Sequence, residues 1–347
     1  MATIEVGNTI DDLKIKIDKS EERYTVTIDE YKGNSKEVIV PDNIADMPVT
    51  AIGTNAFEGN ESVTNIILPE GITNIEDWAF WNCVNLVSIK LPESLVSINI
   101  SAFEDCTSLA KIKLGKNITA IEDDAFENCV KLKEITVDEQ NQYFTSCDGV
   151  LFDKNKTTLI LFPPAKAGDY AIPDSVNTIV YSAFQNVKGL TDINFPKDLF
   201  IYADFSNCEN LGNFTVDKNS KHYSGINGIL FCKDKEGKIA SLLCYPQGKK
   251  NTDYAVPDGI TYIKSQAFYN CKQLKSIILP EGLEEICYGT FRGCEGLTEL
   301  SLPVSLEYIH REAFIECPNL KTITLSRNTK IGYMAFNGFT DKLIYRD

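Results

Sequence analysis

The sequence predicts an α/β repeat solenoid: a right-handed stack of short parallel strands with two inserted β-hairpins and an N-terminal β cap. Three observations carry this reading. Phe57, Phe80, Phe103 and Phe126 lie 23 residues apart, and each follows an alanine. Phe268, Phe291 and Phe314 resume the same 23-residue step, and Phe336 follows at 22. Between these boxes runs a short alternating apolar stretch closed by proline, as in "SIKLP" at 88–92. A fixed period of this size marks coils that cannot bury their apolar face alone and stack to share one core.

Residues 1–40 precede the rhythm and are read as an N-terminal β cap. Within them, "YTVTIDEYKGNSKEVIVP" alternates apolar residues around Gly33-Asn34, which predicts a hairpin covering the open end of the stack. Residues 41–340 form the repeat. In the unit "LVSIKLPESLVSINISAFEDCTS" at 86–108, Ile89 and Leu91 alternate with Ser88 and Lys90, as in a strand with one buried face. Pro92 ends that strand where no ladder N–H is needed. Leu95 and Ile98 point inward on the return path, and Ala102 with Phe103 fills the far corner on a helical turn. Two residues after each Phe stand Gly59, Asn82, Asp105, Asn128, Asn186, Asn207, Asn270, Gly293 and Gly338, with Glu316 as the exception. Those residue types tolerate positive φ, so a sharp turn is expected to close each coil there.

The rhythm is interrupted twice. Phe126 to Phe184 is 58 residues and Phe205 to Phe268 is 63. The inserts, near 140–165 and 220–248, each carry two apolar runs around a charged turn and read as a projecting β-hairpin. Gly149 and Gly228 lie 79 residues apart, as do Phe126 and Phe205, so a longer repeat overlies the short one. The coil ending at Phe205 is two residues short and lacks the alanine, which predicts local irregularity. Residues 341–347 form the C-terminal end, with "GFTDKLIYRD" a candidate cover for that side.

The A-F-x-x-C box, the I-x-L-P strand and the "DGVLF…LILFP" insert, over roughly residues 38–340, resemble the BspA-like leucine-rich repeat family of bacterial and some protist surfaces. That resemblance implies a leucine-rich-repeat fold and a non-enzymatic protein-binding solenoid, acting in adhesion or host interaction, at the cell surface or secreted. It carries over no catalytic residue, because the family motif is structural. No leader is visible in "MATIEVGNTIDDLK", and the alternative is a cytoplasmic scaffold for protein–protein interaction.

Composition narrows the partners. The 347-residue chain has a net charge of −15 and a pI near 4.7, and such a surface repels nucleic acid and anionic lipid. No apolar run approaches the length of a membrane span. The expected partner is a protein, with no nucleic acid, no membrane insertion and no cofactor; the oligomeric state stays open.

Seven of the eleven cysteines (Cys83, Cys106, Cys129, Cys208, Cys271, Cys294 and Cys317) occupy one repeat position. Stacked Cα atoms would lie roughly 5 Å apart, within disulfide reach, yet parallel side chains entering a core behave as small hydrophobes, so a reduced ladder is expected. Cys147, Cys232, Cys244 and Cys287 lie off it. No C-x-x-C pair occurs, which leaves no zinc motif. His222 and His310 stand in unrelated contexts and read as surface residues, with no third group to orient a base. No glycine-rich phosphate loop appears, so no enzyme is expected.

The strand face is the expected binding side, and Lys90, Lys111 and Lys113 make a basic spot on it. The two tryptophans, Trp78 and Trp81, flank Ala79-Phe80. On a helical turn they would lie about 150° from the inward direction on opposite sides, where adjacent coils carry Asn55, Glu58, Ser101 and Glu104. Either the N-terminal cap lies over them or they form a contact site. The candidate partner-binding residues are therefore Trp78, Trp81, Lys90, Lys111 and Lys113.

Overall fold

A computed structural model describes residues 10–19, 23–122, 124–336 and 343–346. Two compact units divide the chain: residues up to Lys166 with Thr178–Val187 and Tyr202–Asp204, and Ala167–Asn177 with Lys188–Ile201 and the chain from Phe205 on.

In the first unit every regular coil contributes to two rows of parallel strands. One row holds Glu37–Ile39, Asn65–Ile67 and Ser88–Lys90, and Lys111–Leu114 pairs with Glu134–Val137 further along. The other runs through Met47–Ile52, Asn74–Ile75, Ser97–Ile98 and Ala120–Ile121. Residues pair in register one repeat apart, Ile66 with Ile89 and Ile75 with Ile98. Identical side chains therefore stack inward, and Leu86, Leu95, Ile98, Ala102 and Phe103 are fully buried.

None of the corners around the Ala-Phe boxes is α-helical, and only the one at Ala183-Phe184 takes a short 3₁₀ turn, which corrects the α/β class: the fold is a β-solenoid. Among the described residues the helical segments are two short 3₁₀ turns, Ile10–Asp12 and Tyr181–Phe184. An α-helix satisfies each N–H four residues back in its own chain. Here the amides alternate instead. Ala79, Trp81 and Cys83 donate three residues back to Glu76, Trp78 and Phe80, whereas Trp78, Phe80 and Asn82 donate to Ile100, Ala102 and Glu104 of the next coil. Alternation requires left-handed backbone twice per corner. Gly59, Asn82, Asp105, Asn128, Asn186, Asn207, Asn270 and Gly293 all have φ between 54° and 71°, and the sequence exception Glu316 obeys at 60°. Gly338 lies outside the described residues. A second left-handed site sits two residues before the Phe, at Asn55, Trp78, Ser101, Asp124, Gln266, Gly289, Glu312 and Met334.

The corners stack their rings. Tyr31, Phe57, Phe80, Phe103 and Phe126 follow one another at centroid distances of 5.0, 5.0, 5.1 and 5.4 Å. In the second unit, Tyr245, Phe268, Phe291, Phe314 and Phe336 do so at 5.3, 5.2, 5.2 and 5.1 Å. Phe205, in the short coil without alanine, instead meets Phe195 and Phe214 edge-on at 74° and 68°.

The inserts contain more than a hairpin. In the first, Phe144–Cys147, Val150–Asp153 and Thr158–Leu161 are successively antiparallel, and the third strand then pairs in parallel with Thr178–Ile179. In the second, Tyr223–Ile226, Ile229–Lys233 and Ile239–Cys244 repeat this, ending parallel to Tyr262–Ile263. The third strand returns the chain to the coil path, so Phe162 and Tyr245 occupy the corner position, donating to Ala183 and Ala267. Phe162 lies 22 residues before Phe184 and Tyr245 23 before Phe268, so each interruption conceals one coil of normal length. Fully buried Asn141 anchors the first insert: its amide donates to Gly115 and Ile118 carbonyls while its Oδ1 accepts from Tyr143 and Phe144.

The hairpin expected around Gly33-Asn34 does not form. Tyr24–Tyr31 pairs antiparallel with Leu13–Lys19 and parallel with Met47–Ile52, whereas Glu37–Ile39 joins Asn65–Ile67 in the other row. The Gly33 region is thus a coil corner, with Tyr31 donating its N–H to Ala56. At the other end Leu343–Arg346 pairs in parallel with Thr322–Ser326.

Candidate binding surfaces

The outward side chains of the strand face form columns in register. Ile39, Ile67 and Lys90 make one, with the isoleucines 41% and 42% exposed. Beside it run Glu37, Asn65 and Ser88, where Ser88 Oγ donates to Asn65 Oδ1 at 2.6 Å. In the following coils Lys111 is paired with Glu134 and Lys113 with Thr136. Lys111 Nζ lies 2.7 Å from the Glu134 carboxylate, and this hydrogen bond holds that carboxyl below its ordinary value. Among the described residues no ion pair forms at Lys90 or Lys113. The three lysines expected to form a basic spot do share the face, but the charge of Lys111 is locally answered.

Trp78 and Trp81 sit in the corner, away from these columns. Trp78 has φ 55° and is 40% exposed, while Trp81 is half-buried with its indole N–H lacking a partner among the described residues. The helical projection does not apply to them, because the corner turns through left-handed residues at Trp78 and Asn82.

The ladder cysteines have a specific backbone role that their apolar character alone does not explain. Cys83, Cys106 and Cys129 Sγ donate to the Phe57, Phe80 and Phe103 carbonyls at 3.0, 3.2 and 3.2 Å. Cys294 and Cys317 do the same to Phe268 and Phe291, both at 3.1 Å. Each bond reaches 26 residues back and ties the carbonyl of one corner to the next coil. None of the eleven cysteines, all among the described residues, forms a disulfide. Burial pushes the Cys83 and Cys317 thiols up to about 12, so these are inert thiols.

The BspA type leucine rich repeat region, in six copies, matches residues 30–155, 165–232 and 243–345. The chain belongs to the BspA-type leucine-rich repeat family. Solved structures share the fold. A leucine rich cell surface protein from Faecalibacterium prausnitzii A2-165 is 20% identical, with 94% of this chain and 95% of that chain covered and a TM-score of 0.54. A leucine-rich repeat protein from Eubacterium ventriosum is 21% identical over 87% and 92%, at 0.52. The pneumococcal vaccine antigen PcpA is 22% identical over 96% of this chain and 86% of its own, at 0.51. No curated protein matches the chain.

Two features of this BspA-type chain are not legible in its repeat motif. In the first unit a cavity of about 250 Å³ opens beside Ala120–Ile121, the last strand of its row, lined by Ile121, Phe126, Glu127, Leu161 and Gln185 among others. Burial pushes the Glu127 carboxyl up to about 7, and the nearby carboxylates of Asp124, Glu104, Asp105 and Asp204 add to the shift. In the second unit Glu285, Cys287 and His310 converge: one donor atom from each lies within 4.8 Å of the others, and His310 Nε2 is 3.1 Å from Glu285 Oε2. His310 is therefore not an isolated surface residue. The missed signal was simple: Cys287 and His310 are 23 residues apart and occupy one column.

Proposed function

We propose that the protein is a non-enzymatic protein-binding solenoid that acts at the cell surface in adhesion or host interaction. Its Leu13–Lys19 and Tyr24–Tyr31 strands serve as the N-terminal cap. The observation that carries the binding role is the column of Ile39, Ile67 and Lys90, where exposed isoleucines stand in register beside an unneutralised lysine on a regular strand face. A rigid apolar stripe rimmed by polar and charged groups suits a protein partner, and burial of its centre would dominate the binding energy. Family membership and the fold shared with a cell surface protein and a vaccine antigen support the location. The test compares partner capture from host-surface extracts on the immobilised full chain and on an Ile67→Asp/Lys90→Glu/Lys113→Glu variant. Lost capture with unchanged melting is expected; equal capture refutes the strand face as the binding side.

A second reading, an intracellular scaffold, is favoured by a column of stacked cysteines without a disulfide, since oxidising compartments turn neighbouring cysteines into disulfides. A membrane-impermeant label on intact producing cells separates the two: labelling supports the surface reading, and protection supports the scaffold.

A further inference from the structure

Glu285 begins one coil strand, Glu285–Ile286, and Cys287 directly follows that strand; His310 follows Tyr308–Ile309 in the next coil. These two strands pair in parallel, Glu285 opposite Tyr308 and Ile286 opposite Ile309. The His310 amide donates to the Ile286 carbonyl at 2.9 Å, which fixes the separation of the two coils at this point. Register therefore brings a carboxylate, a thiol and an imidazole together without any loop to position them. Cys287 is buried, while the side chains of His310 and Glu285 are 40% and 43% exposed. The cluster thus has a dry thiol side and an open mouth.

We propose that Glu285, Cys287 and His310 form a transition-metal site of the Zn²⁺ class that clips two neighbouring coils together. The donor set decides the class: thiolate and imidazole select zinc-like ions over Ca²⁺ and Mg²⁺, which take oxygen ligands. With bonds of about 2.0–2.3 Å, ligand atoms of a tetrahedral centre lie roughly 3.3–3.7 Å apart. The His310–Glu285 pair already stands near that spacing at 3.1 Å. The sulfur, within 4.8 Å of both, closes the triangle with a movement of about 1 Å. Neutral His310 offers Nε2, Cys287 gives its thiol proton to solvent on binding, and the fourth position remains open to water or to a group from a partner.

Burial disfavours a free thiolate at Cys287, and two neighbouring groups work against that. The Tyr262 hydroxyl, from the coil before, lies close enough to the Cys287 sulfur to favour its thiolate. Lys264 is held over the Tyr262 ring at 4.8 Å and adds positive charge near that sulfur. Such outer contacts orient and tune a ligand. The column that places them reads Lys264, Cys287, His310 at 23-residue steps.

Co²⁺ is the probe, titrated into the full-length reduced chain. One equivalent is expected to produce a thiolate-to-cobalt charge-transfer band and strong tetrahedral ligand-field bands, both displaced by Zn²⁺. Cys287→Ser removes the charge-transfer band, and Cys147→Ser, at an exposed cysteine elsewhere, leaves it. His310→Gln and Glu285→Gln, both on exposed side chains, weaken Co²⁺ binding by tenfold or more, and Tyr262→Phe by about tenfold. A wild-type chain with no charge-transfer band overturns the proposal. So does a band that survives in Cys287→Ser, or His310→Gln binding as wild type; the last variant keeps the test decisive should Cys287→Ser not fold.

Discussion

Replacing Phe103 with alanine probes the central element of this fold. Phe103 is fully buried and stacks on Phe80 at 5.1 Å and Phe126 at 5.4 Å, with the rings within 9° and 2° of parallel. A buried Phe→Ala change costs about 3–5 kcal/mol, with the upper values where the site cannot collapse. Collapse is opposed here, because the Phe80 and Phe103 amides each donate at 2.8 Å to the next coil and hold the spacing that the ring fills. Two ring contacts are lost as well, so the expected loss is about 5 kcal/mol. That is a large part of the stability of a typical domain. The assay is urea unfolding followed by tryptophan fluorescence, because both indoles, Trp78 and Trp81, lie in the first unit and report on it alone. With a slope of about 2–3 kcal/mol per molar, the midpoint should fall by about 2 M. Phe103→Leu, which keeps most of the volume but not the stacked rings, should cost about 1–2 kcal/mol. A Phe103→Ala loss below about 2 kcal/mol, or no greater than that of Phe103→Leu, would refute the rigid stacked corner.

Three further outcomes follow from single residues. Trp78→Asn should leave stability unchanged or raise it by about 1 kcal/mol, since a bulky residue at positive φ is strained and asparagine is not; a clear fall in the urea midpoint would mean that the indole packs. The ladder thiols have folded values raised from 9.0 to about 12 at Cys83 and Cys317, so their contribution is complete below pH 9 and is lost as pH rises toward 12. Each should cost about 1.4 kcal/mol per pH unit across that window, and Cys83→Ala should flatten the slope measured by denaturation at pH 8 to 10.5. Glu127 has its carboxyl raised from 4.5 to about 7, so its folded state is favoured below pH 4.5 and loses ground as pH rises through 7. Glu127→Gln should therefore melt higher than wild type at pH 8 and match it at pH 4.5; equal melting at both would remove the strain assigned to that carboxylate.

Much of the coil was legible before any coordinate. Phe57, Phe80, Phe103 and Phe126 had to face inward together because one period repeats one environment, and their burial is nearly complete. The residue two after each Phe was readable as a left-handed turn from its side-chain chemistry, since Gly, Asn and Asp bear positive φ cheaply. Glu316 shows where that reasoning ends: it adopts φ 60° with its side chain held by Arg292 at 2.9 Å, because the neighbouring coils impose the turn on whatever residue stands there.

The period, the inward faces and the corner positions were thus settled by the sequence itself, because each depends on side chains a few residues apart. Strand partners were not. An alternating run shows which side is buried but not what lies beside it, so Tyr24–Tyr31 could not be assigned to Leu13–Lys19 rather than to Glu37–Ile39. Local pattern likewise suggested a helical turn at the corners, since the alternative needs acceptors such as Ile100 and Ala102 that exist only once the next coil is in place. Phe162 and Tyr245 lie in motifs unlike the A-F box, and only the returning third strand of each insert carries them into the aromatic corner. Cys287 and His310 became neighbours for the same reason: stacking turns a distance of one repeat along the chain into a few ångströms in space, and only the packed coils decide which side chains meet there.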